Sequence, residues 1–425
     1  MSYRPSRTFV IIMAVSLTLG GGGAWAWHQA NAVPMSMRAR MSFLEALRYQ
    51  APPVPKRWTQ AELAEFRTQA RALQEKLVSE FPALRVTPVP VPAEENGFLL
   101  LYQLSPAPLY NNLSLGTELR EILDERVPWN PENAKRCLDE QADLVRQIER
   151  IAQLPTRSSS DMPADFTGFI ATRASKTCAD LLLLKARLAA ERGDEEETLR
   201  LVAATGNLAA HHHAIESPTL LGETVAILID RGIKGAAFKT LLPAIGCKAD
   251  LPRWQAALGT RRYDGTGLAQ VMRGEWNIAS EFMLLPVLFA NQTPDAEAVA
   301  RVYAAWYHAV VLKLPTLKLA ELAPFSFPPP DDSQLSKQGR KIIGDFSIGL
   351  SAWSKGYVGS ASHQRQAQAA LELLALEKSG STLAAESAAQ IPREPVSGAP
   401  FVFDPVTRTL AMPENSDLAP LKLPW

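Results

Sequence analysis

The sequence predicts a mainly α-helical chain, built as stacked helical hairpins behind an N-terminal transmembrane helix and closed by a small C-terminal β-hairpin. Three observations predict it. The run 8–27, TFVIIMAVSLTLGGGGAWAW, carries no charge. From 58 to 378, apolar residues recur every three or four positions between cap residues and prolines, the pattern of helices that bury one face. Past 392 the pattern shortens and alternates around Pro405, as in a hairpin.

The first element is the apolar run. A helix crossing the hydrocarbon core needs about 20 mostly apolar residues, and backbone in lipid must satisfy its own polar groups, so such a run is helical there. Phe9, Val10, Ile11, Ile12, Val15, Leu17 and Leu19 supply its apolar bulk, and Trp25 and Trp27 fall where an interfacial aromatic belt belongs. The glycines Gly20 to Gly23 weaken it, each by about 1 kcal/mol relative to alanine. Arg4 and Arg7 precede the run with no acid among residues 1–7, which holds the N-terminus in the cytoplasm and sends the body across. The competing reading is a cleaved signal peptide, with 9–19 as its apolar region and small-x-small sites at Ala24-Trp25-Ala26 and Ala30-Asn31-Ala32. Either way the body is expected to be extracytoplasmic (periplasmic), and a retained anchor makes a single-pass membrane protein. The expected segments are 1–7 cytoplasmic tail, 8–27 transmembrane helix or signal segment, 28–92 juxtamembrane helices and proline-rich linker, 93–325 main helical domain, 326–391 C-terminal helices, and 392–425 β-hairpin and tail.

The body follows in order. A juxtamembrane helix over 35–49 is broken by the prolines of 51–56, which cannot donate backbone hydrogen bonds. Thr59 caps the next helix, with Glu62 at capping-box spacing. Leu63, Phe66, Ala70, Leu73 and Leu77 form a seam expected to pack on the body. VTPVPVP over 86–92 is an extended linker. The apolar 96–104 reads as a helix, and Thr117 as the cap of a short one reaching 126. Asn130-Pro131 starts a helix to about 153, and the serines 158–160 read as a surface loop. A long helix over 165–192 ends at Gly193. Asp194 starts another, with Glu195 to Glu197 at its positive end. These two helices resemble one hairpin of a tetratricopeptide-type array, irregular because a second hairpin over 217–242, turning at Gly232, does not keep the array's repeat length. Helices over 250–258, 268–289 (kinked at Pro286) and 295–314 follow, the last burying Val299, Tyr303, Trp306 and Val310. FSFPPPDD over 325–332 is a break, glycines leave 338–357 ambiguous, and 362–378 is an amphipathic helix. The hairpin pairs 401–404 with 408–411, and 412–425 reads as a loose tail.

Composition narrows the function classes. The 425 residues are 47% hydrophobic and 21% charged, enough for a large core, and 44 Lys and Arg against 44 Asp and Glu leave no basic excess for nucleic acid. The expected partners are therefore membrane lipid, through the N-terminal helix, and a protein of the envelope. Cys137, Cys178 and Cys247 are too far apart for a CxxC motif and read as three buried apolar side chains, the alternative being one disulfide pair with one thiol left over.

Four stretches, ENGFLLLYQL at 95–104, KARLAAERGDEEETLRLV at 185–202, SPTLLGETVAILI at 217–229 and PVSGAPFVFDP at 395–405 with DPVTRTL, together resemble a group of envelope proteins of planctomycete- and verrucomicrobia-type bacteria. The resemblance spans most of the chain. It implies a membrane anchor followed by an all-helical body, attaches no activity and carries over no functional residue. PVSGAPFVFDP is also similar to the C-terminal end of pseudopilin-like proteins, whose processing motif is missing before the apolar run here.

Candidate chemistry is sparse. In His211-His212-His213, consecutive helical residues fan out by about 100° each, so the three cannot share one metal. The usable pairs are His212 or His213 with Glu216, short of the three or four ligands of a zinc site; His28, His308 and His363 are isolated in sequence. The triplet therefore reads foremost as a half-exposed polar helix face. No GxxxxGK[ST], GxSxG or HExxH occurs, and Gly20 to Gly23 lie in the anchor rather than a phosphate loop. Glu275 and Glu281 face different ways on one helix, and Trp254, Trp276, Trp306 and Trp353 read as core rather than a sugar-binding groove. No catalytic residue and no cofactor are expected. The expected function is a membrane-anchored extracytoplasmic binding or scaffold protein of the cell envelope, in preference to an enzyme, a class the sequence leaves open. The alternatives are a metal-assisted hydrolase on His212, His213 and Glu216, and a structural envelope component without a specific ligand.

Overall fold

The computed structural model describes residues 59–104, 113, 115–160, 172–259, 261–290, 293–325, 328–346, 350–413 and 418–425. The apolar run 8–27, its flanking Arg4 and Arg7 and the juxtamembrane helix 35–49 lie outside them. Among the described residues no helix is long and apolar enough to cross a membrane. The chain is mainly helical, with a small antiparallel sheet at its C-terminal end.

Helix starts follow the cap chemistry. For α1 (Gln60–Glu80), Thr59 accepts from the Glu62 backbone N–H while the Glu62 carboxylate accepts from the Thr59 N–H at 2.8 Å, a reciprocal capping box. Its seam packs on the body, with Ala70 and Leu77 buried. Gln74 Nε2 donates to Ser280 Oγ at 2.8 Å, and Arg71–Glu281, Lys76–Glu297 and Glu80–Arg301 are paired around it. Asn96 caps α2 (Gly97–Gln103). In α3 (Thr117–Leu123), Gly116 is the cap and Thr117 the first helical residue. Asn130 caps α4 (Pro131–Glu140), which stops at Gln141, where the N–H turns back to the Leu138 carbonyl; α5 (Ala142–Gln153) restarts beyond it. The single helix expected here is two.

α6 (Thr172–Glu191) and α7 (Glu195–His213) form the expected pair, turning at Gly193 in the left-handed region, φ 74°, with Asp194 capping the second. The next expected turn, at Gly232, does not occur. α8 (Leu220–Ala236) runs through it, continues as a π-helical turn over Ala237–Leu241 into α9 (Leu242–Ile245), and the chain turns only at Gly246. A glycine costs an interior turn about 1 kcal/mol, and burial of Ile229 and Ile233 on either side outweighs it. α8 lies against both α6 and α7.

α10 (Leu251–Ala257) and α11 (Gly265–Ala279) start at Asp250 and Asp264. A π-helical turn over Ser280–Leu284 then precedes α12 (Leu285–Ala290). Pro286 has no N–H to give the preceding turn, and the widened turn is where the chain absorbs that loss. α13 (Ala296–Lys313) buries Val299, Tyr303, Trp306 and Val310 as expected. α14 (Leu319–Leu322), α15 (Lys337–Phe346) and α16 (Leu350–Lys378) follow, so 338–357 is helical on both sides of 347–349. β1 (Val402–Asp404), β2 (Thr409–Ala411) and β3 (Leu421–Lys422) pair in the order β1-β2-β3, with Phe403 opposite Leu410 and Leu410 opposite Leu421. The expected two-stranded hairpin and loose tail are corrected to a three-stranded sheet. Leu421 and Leu423 are buried, and the open edge of β2 gives the tail a backbone partner.

Two large apolar cores result among the described residues. One joins residues 101–258 to 367–423; the other joins 70–84 to 263–361 with Leu220 and Ile227. Among the described residues, α8 and α16 are the helices that feed both. All four tryptophans read as core are buried.

Candidate functional site

The histidine triplet ends α7 and is not a half-exposed face. α5 and α8 pack against α7. His211 and His212 are fully buried, and His213 is half-buried. His211 Nε2 meets the Ile151 carbonyl at 2.9 Å, and Gly97 lies so close to the ring that a Cβ there would stand 2.1 Å from it. Neither ring nitrogen of His212 has a hydrogen-bond partner among the described residues. Burial pushes the pKa down to about 4 for His211 and about 3 for His212 and His213, so all three are neutral near pH 7.

Glu216 is engaged elsewhere. Its Oε1 accepts from Ser158 Oγ at 2.6 Å, from the Ser159 N–H at 3.1 Å and from Ser160 Oγ. The serines expected on a surface loop are drawn inward by it, with Ser158 and Ser159 buried. Among the described residues no three His, Cys, Asp or Glu side chains converge to hold a metal. Glu275 accepts the Leu220 N–H at 2.8 Å, the first donor of α8, while Glu281 pairs with Arg71. The three cysteines are free; Cys137 and Cys178 are buried as expected, but Cys247, in the turn after Gly246, is exposed.

The polar feature that sequence reasoning passed over lies in the first turn of α8. Glu223 is 0% exposed and paired with Arg261, whose side chain is 12% exposed. α16 clamps the Arg261 backbone: its N–H donates to Gln364 Oε1 at 3.0 Å, and its carbonyl accepts from Gln364 Nε2 at 2.7 Å. The guanidinium stands 5.0 Å over the Tyr263 ring. The Tyr263 hydroxyl donates to Asp230 at 3.0 Å, and buried Lys234 lies 3.7 Å from the same carboxylate. Tyr357 stacks on Trp353 and donates to the Asp264 carbonyl at 3.2 Å. His363, buried beside Lys234 and Arg231, is pushed down to about 3. Burial pushes the Glu223 pKa up against the pull of Arg261. Burial also opposes the charge on Arg261, but the Glu223 carboxylate holds its pKa above the ordinary value.

This network floors a cleft of about 340 Å³ at the junction of the two cores, lined among others by His213, Glu223, Arg261, Asp264, Gln270 and Tyr357. On these two lining residues, Glu223 Oε1 and Arg261 Nη1 are buried without a hydrogen-bond partner among the described residues. A larger depression of about 460 Å³ over Asp194, Glu197, Arg200 and Arg253 differs, because Arg200 is paired with Glu149 and Glu197, and Asp194 caps α7. Of the candidates named from the sequence, His213 alone reaches the cleft. A signal for Glu223 was present: one acid within the apolar helix LLGETVAILI, followed at helical spacing by Asp230 and Lys234. In comparisons with known proteins, the chain matches no family model, no curated protein and no solved structure.

Proposed function

We propose that the chain is a membrane-anchored, extracytoplasmic binding protein of the cell envelope, its body a set of irregularly stacked helical hairpins and its ligand seat the cleft at the core junction. One observation carries this reading. A Glu223–Arg261 pair, the acid fully buried and the guanidinium nearly so, floors that cleft, with one polar atom on each partner unsatisfied among the described residues. A buried polar atom left without a partner costs about 1–3 kcal/mol, and ligand seats favour junctions between packed units with a few converging polar groups. The metal-assisted alternative draws no support from His212, which does not line the cleft, or from Glu216, whose Oε1 already has three donors.

The test places a photo-cross-linking residue at Gln270 on the cleft wall of the full chain in membranes, and another at exposed Val402 as control. A defined adduct at Gln270 and none at Val402 is expected; equal background at both sites removes the reading. Exposed Cys247 tests the location. In intact cells with a permeable outer layer, a membrane-impermeant maleimide labels it if the body is extracytoplasmic, and labelling only after lysis overturns that.

A further inference from the structure

The charges of the cleft floor bear on what it takes, granting the binding reading above. Glu223 and Arg261 neutralise one another, yet their contact leaves Oε1 of one and Nη1 of the other without a partner among the described residues. The acid asks for a donor and the guanidinium for an acceptor. A ligand with a single charge would satisfy one and unbalance an ion pair that is itself largely buried, where an uncompensated charge is costly. A ligand with opposite charges on neighbouring atoms satisfies both and leaves the balance at zero. Both bonds are then charge-assisted, roughly twice as strong as those of a neutral amide.

The acceptor side has a second support. α11, a helix of 15 residues, begins beside Arg261, and Thr266 and Gly267 from its first turn line the same cleft. The Gly267 N–H is taken by Asp264, but the helix end still favours negative charge. His213, neutral near pH 7, adds no charge of its own. Pro218, Val271 and Tyr357 supply an apolar wall. The volume of about 340 Å³ lies at the small end of ligand sites.

We propose that the cleft binds a free α-amino acid, its ammonium on Glu223 and its carboxylate on Arg261 at the start of α11. The side chain lies against Pro218, Val271 and Tyr357.

The test is calorimetric titration of the full chain in detergent micelles with each of the common L-amino acids. The best binder is then compared with its N-acetyl and its C-terminal carboxamide derivatives. At least one free amino acid is expected to bind one to one, and each derivative to bind about tenfold more weakly or worse, since each loses a charge-assisted bond. In Glu223→Gln the side-chain oxygen stays with Arg261 and an amide NH2 replaces the free acceptor. The penalty for N-acetylation should vanish while the penalty for amidation remains, an asymmetry that a merely structural role does not produce. The wild-type derivative series stands without the variant. Derivatives that bind as well as the parent overturn the proposal, as does binding of inorganic phosphate in place of every amino acid. If no amino acid binds but the Gln270 cross-link still forms, the ligand class is wrong and the binding reading stands. If both are silent, both fall.

Discussion

Glu216 and Glu223 stand on either side of the start of α8, and the chain treats them in opposite ways. Glu216 lies half-buried with its Oε1 accepting from three serine groups. Glu223 is fully buried and, among the described residues, holds one partner and keeps its second oxygen unsatisfied. The first arrangement fixes a loop by filling every demand of the oxygen that does the work. The second leaves a demand open at the floor of a cleft. Sequence alone favoured the first, because Glu216 follows a histidine triplet. The lesson is that an eye-catching cluster can be structural while a lone acid in an apolar helix carries the unmet chemistry.

Acidification gives the largest expected effect and extends the contrast to the histidines. His211 and His212 are held neutral, with folded pKa values of about 4 and about 3 against an ordinary 6.5. Between those values the unfolded chain binds more protons than the folded one. Their contribution is therefore complete above pH 6.5 and is lost as pH falls toward 4, by on the order of 5 kcal/mol for the pair. Glu223 has the opposite sign. Its raised pKa makes the folded state the better proton binder just above 4.5, so its share declines as pH rises through that window. Urea midpoints from pH 7.5 to 4 should fall steeply, and a flat profile would break the claim that the triplet is buried neutral.

Removing each carboxylate separates the two regions directly. Glu223→Ala strands a buried guanidinium and should cost about 3–5 kcal/mol in chemical denaturation. Glu216→Ala removes an acceptor from three donors near the surface and should cost about 2 kcal/mol. If Glu216→Ala proves the more damaging, the ranking of the two sites is wrong. Gly274→Ala probes the strip between them. A Cβ there would meet the Pro218 carbonyl at 2.2 Å, so α11 must shift from the strand of chain joining the two acids, at about 1–3 kcal/mol. Ligand binding should weaken with it, while the serine contacts of Glu216 stay intact by NMR. The smallest effect belongs to His212→Leu. Replacing two unpartnered ring nitrogens with an apolar side chain should be neutral or stabilising within about 1 kcal/mol at pH 7.5, and should flatten the acid limb.

Much of the fold was legible because its signals are local. The capping box at Thr59 and Glu62, Asn130 before Pro131, and the Gly193–Asp194 turn each act through bonds reaching three or four residues. What was not legible depends on distant partners. Gly232 looks like a turn until the apolar residues on both sides are buried by α6 and α7. The tail at 421–422 looks loose until β2 presents an open edge. The serines at 158–160 look exposed until Glu216 draws them in. Arg261 lies 38 positions from Glu223, and no periodicity reports a contact across that distance. The helix carrying Glu223 was visible; the partner that makes it a site was not.

The first apolar core takes residues 101–258 and then waits for 367–423, while the second joins 70–84, Leu220 and Ile227 to 263–361. A chain synthesised from its N-terminus therefore cannot finish its first core until residues 367–423 have been made. α16 must give Trp353, Tyr357, Val358 and Ala361 to the second core before its later residues return to the first, and β3 must pair before Leu410 is covered. Such ordering raises the mean separation of contacts and slows closure. It also means that loss of only the final residues, from Leu418 onward, strips a lid from a core begun more than 300 positions earlier, at Leu101.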